Sequence, residues 1–550
     1  MNRLDKGIGL YGKKCVWFHR SDTSERKRGP QVTKQSFLHG TLILVGAGFI
    51  TKILGFVYRI ALSRIIGDEG MGLFQMAFPI LLFVIVLATA GLPVAISKLV
   101  SEAEATGDEE RIRFILRVSL GIVIVTSMVL TGMTVLFAPW IASHLLTDER
   151  AVYALTGIAP VIPIVAIASI FRGYFQGRQQ MNPYAVAQIV EQIVRIATIL
   201  LLAQYLLPYG VEYASAGAMF GIVAGEGAGL FVLLRAFRND PRRPPLRMRI
   251  GRKDSVGTLK RLSRLALPVT ASRTFGSLSY AVEPIVVSQS LAIAGIATAT
   301  ATALYGQLEG MAIPLVYFPA FITYALSVSL VPAVSEAAAR GQRRLVEHRL
   351  RQAVRLSLIV GAPCAVWMFV LAEPLTLLVY HNTEVARLMQ ILAPFAVFLY
   401  LQGPLAAVLQ GLDKANEAMR NSIFGSLIKT GLIFLFASRP SLGIDGVALA
   451  INCGIVIVTS LHLLSIMRHI PFTVHLKGWI KLTVCIAGMG TVSYLWLNHS
   501  IGALWLRLLS TVGVSAGVYG ALLILFSLIR GEDARHLPVI GKWMNRLLPR

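Results

Sequence analysis

The stretch Leu73-Phe74-Gln75-Met76-Ala77-Phe78-Pro79-Ile80-Leu81-Leu82-Phe83-Val84-Ile85-Val86-Leu87-Ala88-Thr89-Ala90-Gly91-Leu92-Pro93-Val94-Ala95-Ile96-Ser97 contains no Asp, Glu, Lys or Arg. A helix of about 20 apolar residues crosses the hydrocarbon core of a bilayer, so this run is long enough to span one. Similar runs fall at roughly 37–62, 114–137, 151–171, 183–207, 214–236, 265–291, 304–333, 353–372, 386–410, 420–437, 444–467, 480–497 and 504–529. With 73–97 they predict about fourteen transmembrane helices. The run at 420–437 is the weakest, because Ser422, Ser426 and Lys429 interrupt it.

Composition agrees. Of 550 residues, 55% are hydrophobic and 15% charged, and the mean hydropathy is +0.67. Soluble domains carry about 25% charged residues, so a soluble multidomain enzyme is excluded. Cys15, Cys364, Cys453 and Cys485 are widely separated, which argues against a disulfide framework or a CxxC metal site.

The net charge of +24 has two readings, nucleic-acid binding or membrane sidedness, and position separates them. The connection after the sixth run carries its cations from Arg235 to Arg264, opposed only by Asp240 and Asp254. The connection after the eighth adds Arg340, Arg343, Arg344, Arg349 and Arg351. Connections on the opposite side hold Arg64, Arg150 and Arg439, together with Asp68, Glu69, Asp148, Glu149, Glu212, Glu384 and Asp445. By the positive-inside rule both termini face the cytoplasm, and no nucleic-acid partner is expected. The first 36 residues are basic and lack the apolar core of a signal peptide.

An internal repeat has a period of 234 residues. Ser101-Glu102-Ala103 recurs as Ser335-Glu336-Ala337, Gly107 as Gly341, Ala159-Pro160 as Ala393-Pro394, and Gln176-Gly177 as Gln410-Gly411. Gly221-Ile222-Val223 recurs one residue out of step as Gly454-Ile455-Val456. Six spans fit one period, so the copies share an orientation and are related by an axis along the membrane normal. The expected organisation is a basic tail at 1–36, a six-helix bundle at 37–236 and a basic linker at 237–264. A second six-helix bundle follows at 265–467, then two extra helices within 468–529 and a tail at 530–550.

Two stretches carry a family resemblance. One runs from Lys34-Gln35-Ser36-Phe37-Leu38 through Gly91-Leu92-Pro93-Val94-Ala95-Ile96-Ser97-Lys98-Leu99-Val100. The other is Phe171-Arg172-Gly173-Tyr174-Phe175-Gln176-Gly177-Arg178-Gln179-Gln180-Met181, continuing to Glu191-Gln192-Ile193-Val194-Arg195. They resemble the stage V sporulation protein B group of polysaccharide transporters, in the superfamily of the lipid II flippases and the multidrug and toxin extrusion (MATE) antiporters. The resemblance implies an all-α, MATE-like, alternating-access transporter of lipid-linked cell-wall precursors, acting in spore cortex synthesis at the cell membrane. It also implies that the two extra helices help accommodate the lipid tail. The flippases' first-span pattern, two cations around Leu-Gly-Phe, is met by Lys52 and Arg59 around Leu54-Gly55-Phe56. Their second-span arginine has no counterpart between Gln75 and Ala95, and Gln307 stands where they carry a cation early in span 8.

Ionisable residues inside spans are the functional candidates, since each costs about 2.5–3.5 kcal/mol at mid-helix. Lys52 and Arg59 are seven apart, two helical turns, and so share one face. With Arg273 in the seventh span they would supply the cations a pyrophosphate needs in a wet cavity between the bundles. Lys429 joins them as the repeat counterpart of Arg195. The competing reading is that these cations pair with Glu226, Glu283 and Glu309 and only fix helix packing. Glu191 and Arg195 have the spacing of an intrahelical ion pair, and the five residues Glu191, Arg195, Glu226, Glu283 and Glu309 are candidates for ion pairing or ion coupling. Pro79, Pro93, Pro314 and Pro332 are candidate bending points.

The remaining motifs are weak. Gly7-Ile8-Gly9-Leu10-Tyr11-Gly12-Lys13 approaches a phosphate-binding loop, but Lys14 replaces the required Ser or Thr and no strand precedes it. Gly225-Glu226-Gly227-Ala228-Gly229 suits close helix packing, and the ten histidines show no ligand spacing. No cofactor or metal is expected. The partners expected are a lipid-linked oligosaccharide substrate and membrane lipid, with cell-wall synthesis proteins as further candidates. The rival functions are a cation-coupled multidrug antiporter of the same fold, a membrane glycosyltransferase or polymerase, and a scaffold.

Overall fold

The computed structural model describes residues 37–241, 252–470 and 476–528. The tail at 1–36 with its Gly7–Lys13 motif, part of the 237–264 linker and the tail at 530–550 lie outside the described residues. Helices make up the described chain, and no strand occurs among the described residues. The first half is α1 (Phe37–Thr89), α2 (Leu92–Thr106), α3 (Glu109–Trp140), α4 (Ala151–Ile158), α5 (Val161–Gly177), α6 (Met181–Leu206) and α7 (Val211–Asn239). The second half opens with α8 (Arg252–Ile293), α9 (Thr298–Tyr305), α10 (Ile313–Tyr317), α11 (Ala320–Ala339), α12 (Arg343–Val370) and α13 (Ala372–Tyr380). It continues with α14 (Val385–Leu392), α15 (Ala396–Gly411), α16 (Ala415–Ala437) and α17 (Gly443–Met467), and α18 (Leu476–His499) and α19 (Leu504–Leu525) follow.

Eleven stretches among the described residues are long and apolar enough to cross a membrane. The first, Gly46–Thr106, contains two expected spans parted at Gly67, whose φ of 67° suits a residue without a Cβ. Helices α8 and α16, which match the expected spans 265–291 and 420–437, are not among the eleven. The chain is thus a multi-pass, all-α membrane protein whose helices are consistent with about fourteen spans.

The repeat is visible as equivalent packing. A Cβ on Gly177 would lie 2.7 Å from the Ser97 carbonyl oxygen and 2.8 Å from Val100 Cβ. One on Gly411 would lie 3.0 Å from the Val331 carbonyl oxygen and 2.8 Å from Val334 Cβ. All three positions are displaced by the same period, so small residues bring α5 onto α2 as they bring α15 onto α11. Gly107 and Gly341, with φ of 70° and 68°, make the same left-handed turn after α2 and α11.

One expected equivalence is shifted. Gly225 packs on Arg195 Cβ, and Gly454 packs on Lys429 Cβ. Gly217 lies against Leu202, and Gly446 against Phe436. Residues 195 and 429, like 202 and 436, are one period apart, whereas their glycine partners are 229 residues apart. The sixth helix of the second half therefore enters early, and Gly221 is not the counterpart of Gly454.

The expected single span 304–333 is broken. A π-helical turn, Gly306–Ala312, lies between α9 and α10, and Pro319 caps α11. Prolines 314 and 319 each remove a backbone donor, and side chains from other helices satisfy local carbonyls. Gln75 Nε2 donates to the Glu309 carbonyl (2.9 Å), the Tyr380 hydroxyl to that of Met311 (3.1 Å) and the Tyr400 hydroxyl to that of Val316 (2.8 Å). Of the other prolines, Pro93 follows the break at Ala90-Gly91, whereas Pro79 and Pro332 sit inside helices.

Candidate functional site: a cationic cavity between the halves

A cavity of about 650 Å³ lies between α1 and α6 on one side and α10, α11 and α15 on the other. Lys52 and Arg59 both line it, as do Gln192 and Arg195 from α6 and Gln402 from α15. The facing wall is aromatic. Lys52 Nζ lies 4.6 Å from the centroid of Tyr324 and 5.4 Å from that of Phe321, within cation–π range. Beside it, Phe49 lies tilted against Phe321 at 4.8 Å and Phe56 against Phe318 at 4.4 Å, joining α1 to the broken span.

Of the four intramembrane acids, three are held in ion pairs. Glu191 and Arg195 pair at 2.5 Å, as their spacing predicts. Arg195 also pairs with Glu226 at 2.8 Å, and Arg172 binds both acids, at 3.0 Å to Glu191 and 3.1 Å to Glu226. Glu283 on α8 pairs with Lys429 on α16 at 2.6 Å. Glu309 sits in the π-helical turn, 8% exposed, and its carboxylate makes no hydrogen bond or ion pair among the described residues. Lys52 and Arg59 make no hydrogen bond or ion pair to a carboxylate among the described residues, Arg59 lying within electrostatic reach of Glu309, and no acid lines the cavity.

The candidates therefore divide. Lys52 and Arg59 come together in the cavity, with Arg195 both lining it and held by acids. Lys429 is committed to Glu283. Arg273 stands exposed on α8 and is not among the cavity-lining residues. Arg172 was missed. Its signal was charge parity: two acids on α6 and α7 faced one arginine, and the second lay in the quoted Phe171-Arg172-Gly173 motif. The same motif supplies Arg178, whose side chain is fully buried between Glu104 and Asp240 at 3.1 Å each, and Tyr174, whose hydroxyl donates to Asp240 (2.8 Å).

The end of the bundle opposite the start of α1 is sealed by polar contacts between the halves. Arg64 donates to the carbonyls of Leu378 (2.5 Å) and Val379 (2.6 Å). Asp68 accepts from Gln307 (2.7 Å) and Asn382 (2.6 Å), and Gln307 also donates to Glu384 (2.8 Å). Asp148 accepts from Thr302 (2.7 Å) and pairs with Arg150 (2.9 Å), which reaches Glu69 (2.7 Å). Burial raises the Asp148 pKa, but the hydrogen bonds from Arg150 and Thr302 outweigh it and hold the carboxyl below its ordinary value.

A second groove, apolar and of about 380 Å³, runs between α12, α15 and α18, with Phe369, Val397, Trp479 and Ile486 on its walls.

The comparisons with known proteins agree with this architecture. The chain is 45% identical to stage V sporulation protein B of Bacillus subtilis (strain 168), over 94% of this chain and 100% of that protein. It is 28% identical to the lipid II flippase MurJ of the same organism, over 82% of this chain and 87% of that one. Among solved structures, lipid II flippase MurJ in an inward closed conformation superposes with a TM-score of 0.68 at 15% identity, covering 89% of this chain and 100% of that one. A MatE family model matches residues 309–435, and the polysaccharide biosynthesis protein model matches 37–338. More than half of the chain is covered by that second model, and the chain belongs to the polysaccharide biosynthesis protein family.

Proposed function

We propose that this protein is a flippase that moves lipid-linked cell-wall precursors across the cytoplasmic membrane by alternating access, in spore cortex synthesis. The observation that carries this reading is the pair of cations, Lys52 and Arg59, that make no ion pair among the described residues and stand on the wall of a cavity lined by no acid. Uncompensated charge inside a membrane protein is costly, and a pyrophosphate is the ligand class that repays two adjacent cations with charge-assisted hydrogen bonds. Arg195 is the third contact. Lys429 and Arg273 join the site only if α8 and α16 move during transport.

In this reading the bundles 37–236 and 265–467 rock about the axis between them, both termini face the cytoplasm, and the two helices within 468–529 take the lipid tail along the groove beside Trp479. Glu309, buried with no hydrogen bond or ion pair among the described residues, is the acid through which an ion gradient would act. Glu191, Glu226 and Glu283 hold cations in ion pairs. A multidrug antiporter needs acids facing a cationic drug, and the cavity offers none. The relative named as a lipid II flippase supports transport over glycosyl transfer.

Reconstitution into liposomes with a fluorescent lipid-linked precursor, with and without a membrane potential, tests the proposal. Wild-type protein is expected to move the lipid. Lys52→Ala and Arg59→Ala are expected to stop movement, and to abolish complementation of a cortex defect, at unchanged protein abundance. Full complementation by both variants removes the cavity assignment, and movement of organic cations without lipid favours the antiporter.

A further inference from the structure

Arg195 has a peculiar setting for a residue that lines an anion-binding cavity. Its Nη2 touches two carboxylates, Oε1 of Glu191 at 2.5 Å and Oε1 of Glu226 at 2.8 Å. Taken alone, one arginine between two acids presents a net negative wall, and such a wall repels a pyrophosphate. Arg172, on α5 behind that wall, closes the ring: its Nη2 meets the other oxygen of each acid, Oε2 of Glu191 at 3.0 Å and Oε2 of Glu226 at 3.1 Å. Side-chain exposures of 22% for Arg172, 20% for Arg195, 11% for Glu191 and 12% for Glu226 show the four to be largely buried, with Arg195 alone of them lining the cavity. Each arginine uses only Nη2 within the ring, and since Arg195 Nε is buried, its Nη1 is the nitrogen left to face the cavity. Arg172 is not among the cavity-lining residues.

We propose that Arg172 is a positioning residue for the pyrophosphate: it neutralises the second carboxylate so that Arg195 can offer a positive charge to the substrate without leaving an acid unpaired. The inference rests on the flippase reading above. In a medium of low dielectric a bare acid behind the wall acts at a distance, and the balance of two arginines against two glutamates is what permits Arg195 to face the substrate.

Binding of farnesyl pyrophosphate, a short polyprenyl pyrophosphate, to the purified full-length protein in detergent tests this, with a melting curve for each variant. Arg172→Gln is expected to weaken binding on the order of tenfold, the effect of one unscreened unit charge, and Arg172→Lys is expected to retain most of it. Glu226→Gln, which keeps both arginines, is expected to tighten binding. The double variant Arg172→Gln/Glu226→Gln restores the balance and is expected to return close to wild type; because a merely structural ion pair also recovers when both partners are removed, the tightening by Glu226→Gln is the readout that a merely structural role would not produce. The inference is overturned if Arg172→Gln binds as wild type does, if the double variant is no better than Arg172→Gln, or if Glu226→Gln fails to tighten binding. Should Arg172→Gln not fold, Glu226→Gln and the double variant decide it alone. Lys52→Gln separates the two levels: if it binds as tightly as wild type, the cavity reading falls and takes this inference with it. If only Lys52→Gln weakens binding, the cavity reading stands and the role of Arg172 falls.

Discussion

Gln75 donates from Nε2 to the backbone carbonyl of Glu309 over 2.9 Å, and the two residues stand 234 positions apart, at equivalent places in the two halves. Nearby the halves meet backbone to backbone. A Cβ on Gly72 would lie 2.0 Å from the Thr302 carbonyl oxygen, and one on Gly306 would lie 2.0 Å from that of Asp68. Residues 72 and 306, and 68 and 302, are again equivalent, so this crossing lies on the pseudo-symmetry axis. The halves approach backbone to backbone here, at the sealed end.

Gly306→Ala should wedge this crossing open. The atoms it would strike are backbone, which cannot rotate away, so the cost is about 1–3 kcal/mol or more. Gly276→Ala is the control, because a Cβ there meets nothing within 4 Å and alanine favours a helix interior by up to about 1 kcal/mol. Melting temperatures in detergent should fall for the first and hold or rise for the second. Equal behaviour would mean that the crossing is not tight.

Arg64 should govern the seal. Its two donors reach the last carbonyls of α13, groups left without helical partners and at the negative end of the helix dipole. Because Arg64 is exposed, its removal should cost little stability, about 1 kcal/mol. The larger effect expected of Arg64→Ala is on access. With a cysteine at position 324 and no other reactive thiol, a membrane-impermeant maleimide applied from the sealed side should label the variant faster than its Arg64 parent. Identical labelling rates would show that Arg64 does not hold the seal.

The seal should resist moderate acid. The Asp148 carboxyl is held below its ordinary value, so its contribution is complete above that value and is lost only as pH falls through the still lower folded-state value. Asp148→Asn should therefore melt lower than wild type by a constant margin from about pH 8 to pH 5, narrowing only below about pH 4. A margin that closes between pH 7 and pH 5 would contradict the assignment.

Much of this was legible because membrane physics leaves strong marks. Long uncharged runs gave the spans, cation asymmetry gave an expected sidedness, and matches such as Gly107 and Gly341 marked backbone turns that only a repeated fold needs. The spans that misread were those where side chains replace helix hydrogen bonds: Tyr380 and Tyr400 satisfy carbonyls of the broken 298–339 segment from far along the chain, and no local pattern announces them. Arg172 was hidden for the same reason, since its acids lie on α6 and α7. Isolated charges could be ranked by cost, but only packing showed that Glu226 and Glu283 were taken and Lys52 and Arg59 were not.

The Lys429–Glu283 pair offers a last test, because the repeat kept the cation and moved the acid. Arg195 finds Glu191 on its own helix, whereas glycine occupies the equivalent place, 425, and Lys429 reaches instead to α8. The pair is largely buried, with side-chain exposures of 22% and 5%, so removing one partner strands a charge at a cost of about 3–5 kcal/mol. Removing both should cost less than either single change, since desolvation of the partner is then avoided. Lys429→Met and Glu283→Gln should each lower the melting temperature strongly, and the double variant should recover much of the loss. Additive losses would mean that α8 and α16 are held together by their apolar contacts, with the ion pair incidental to stability and free to serve the transport cycle.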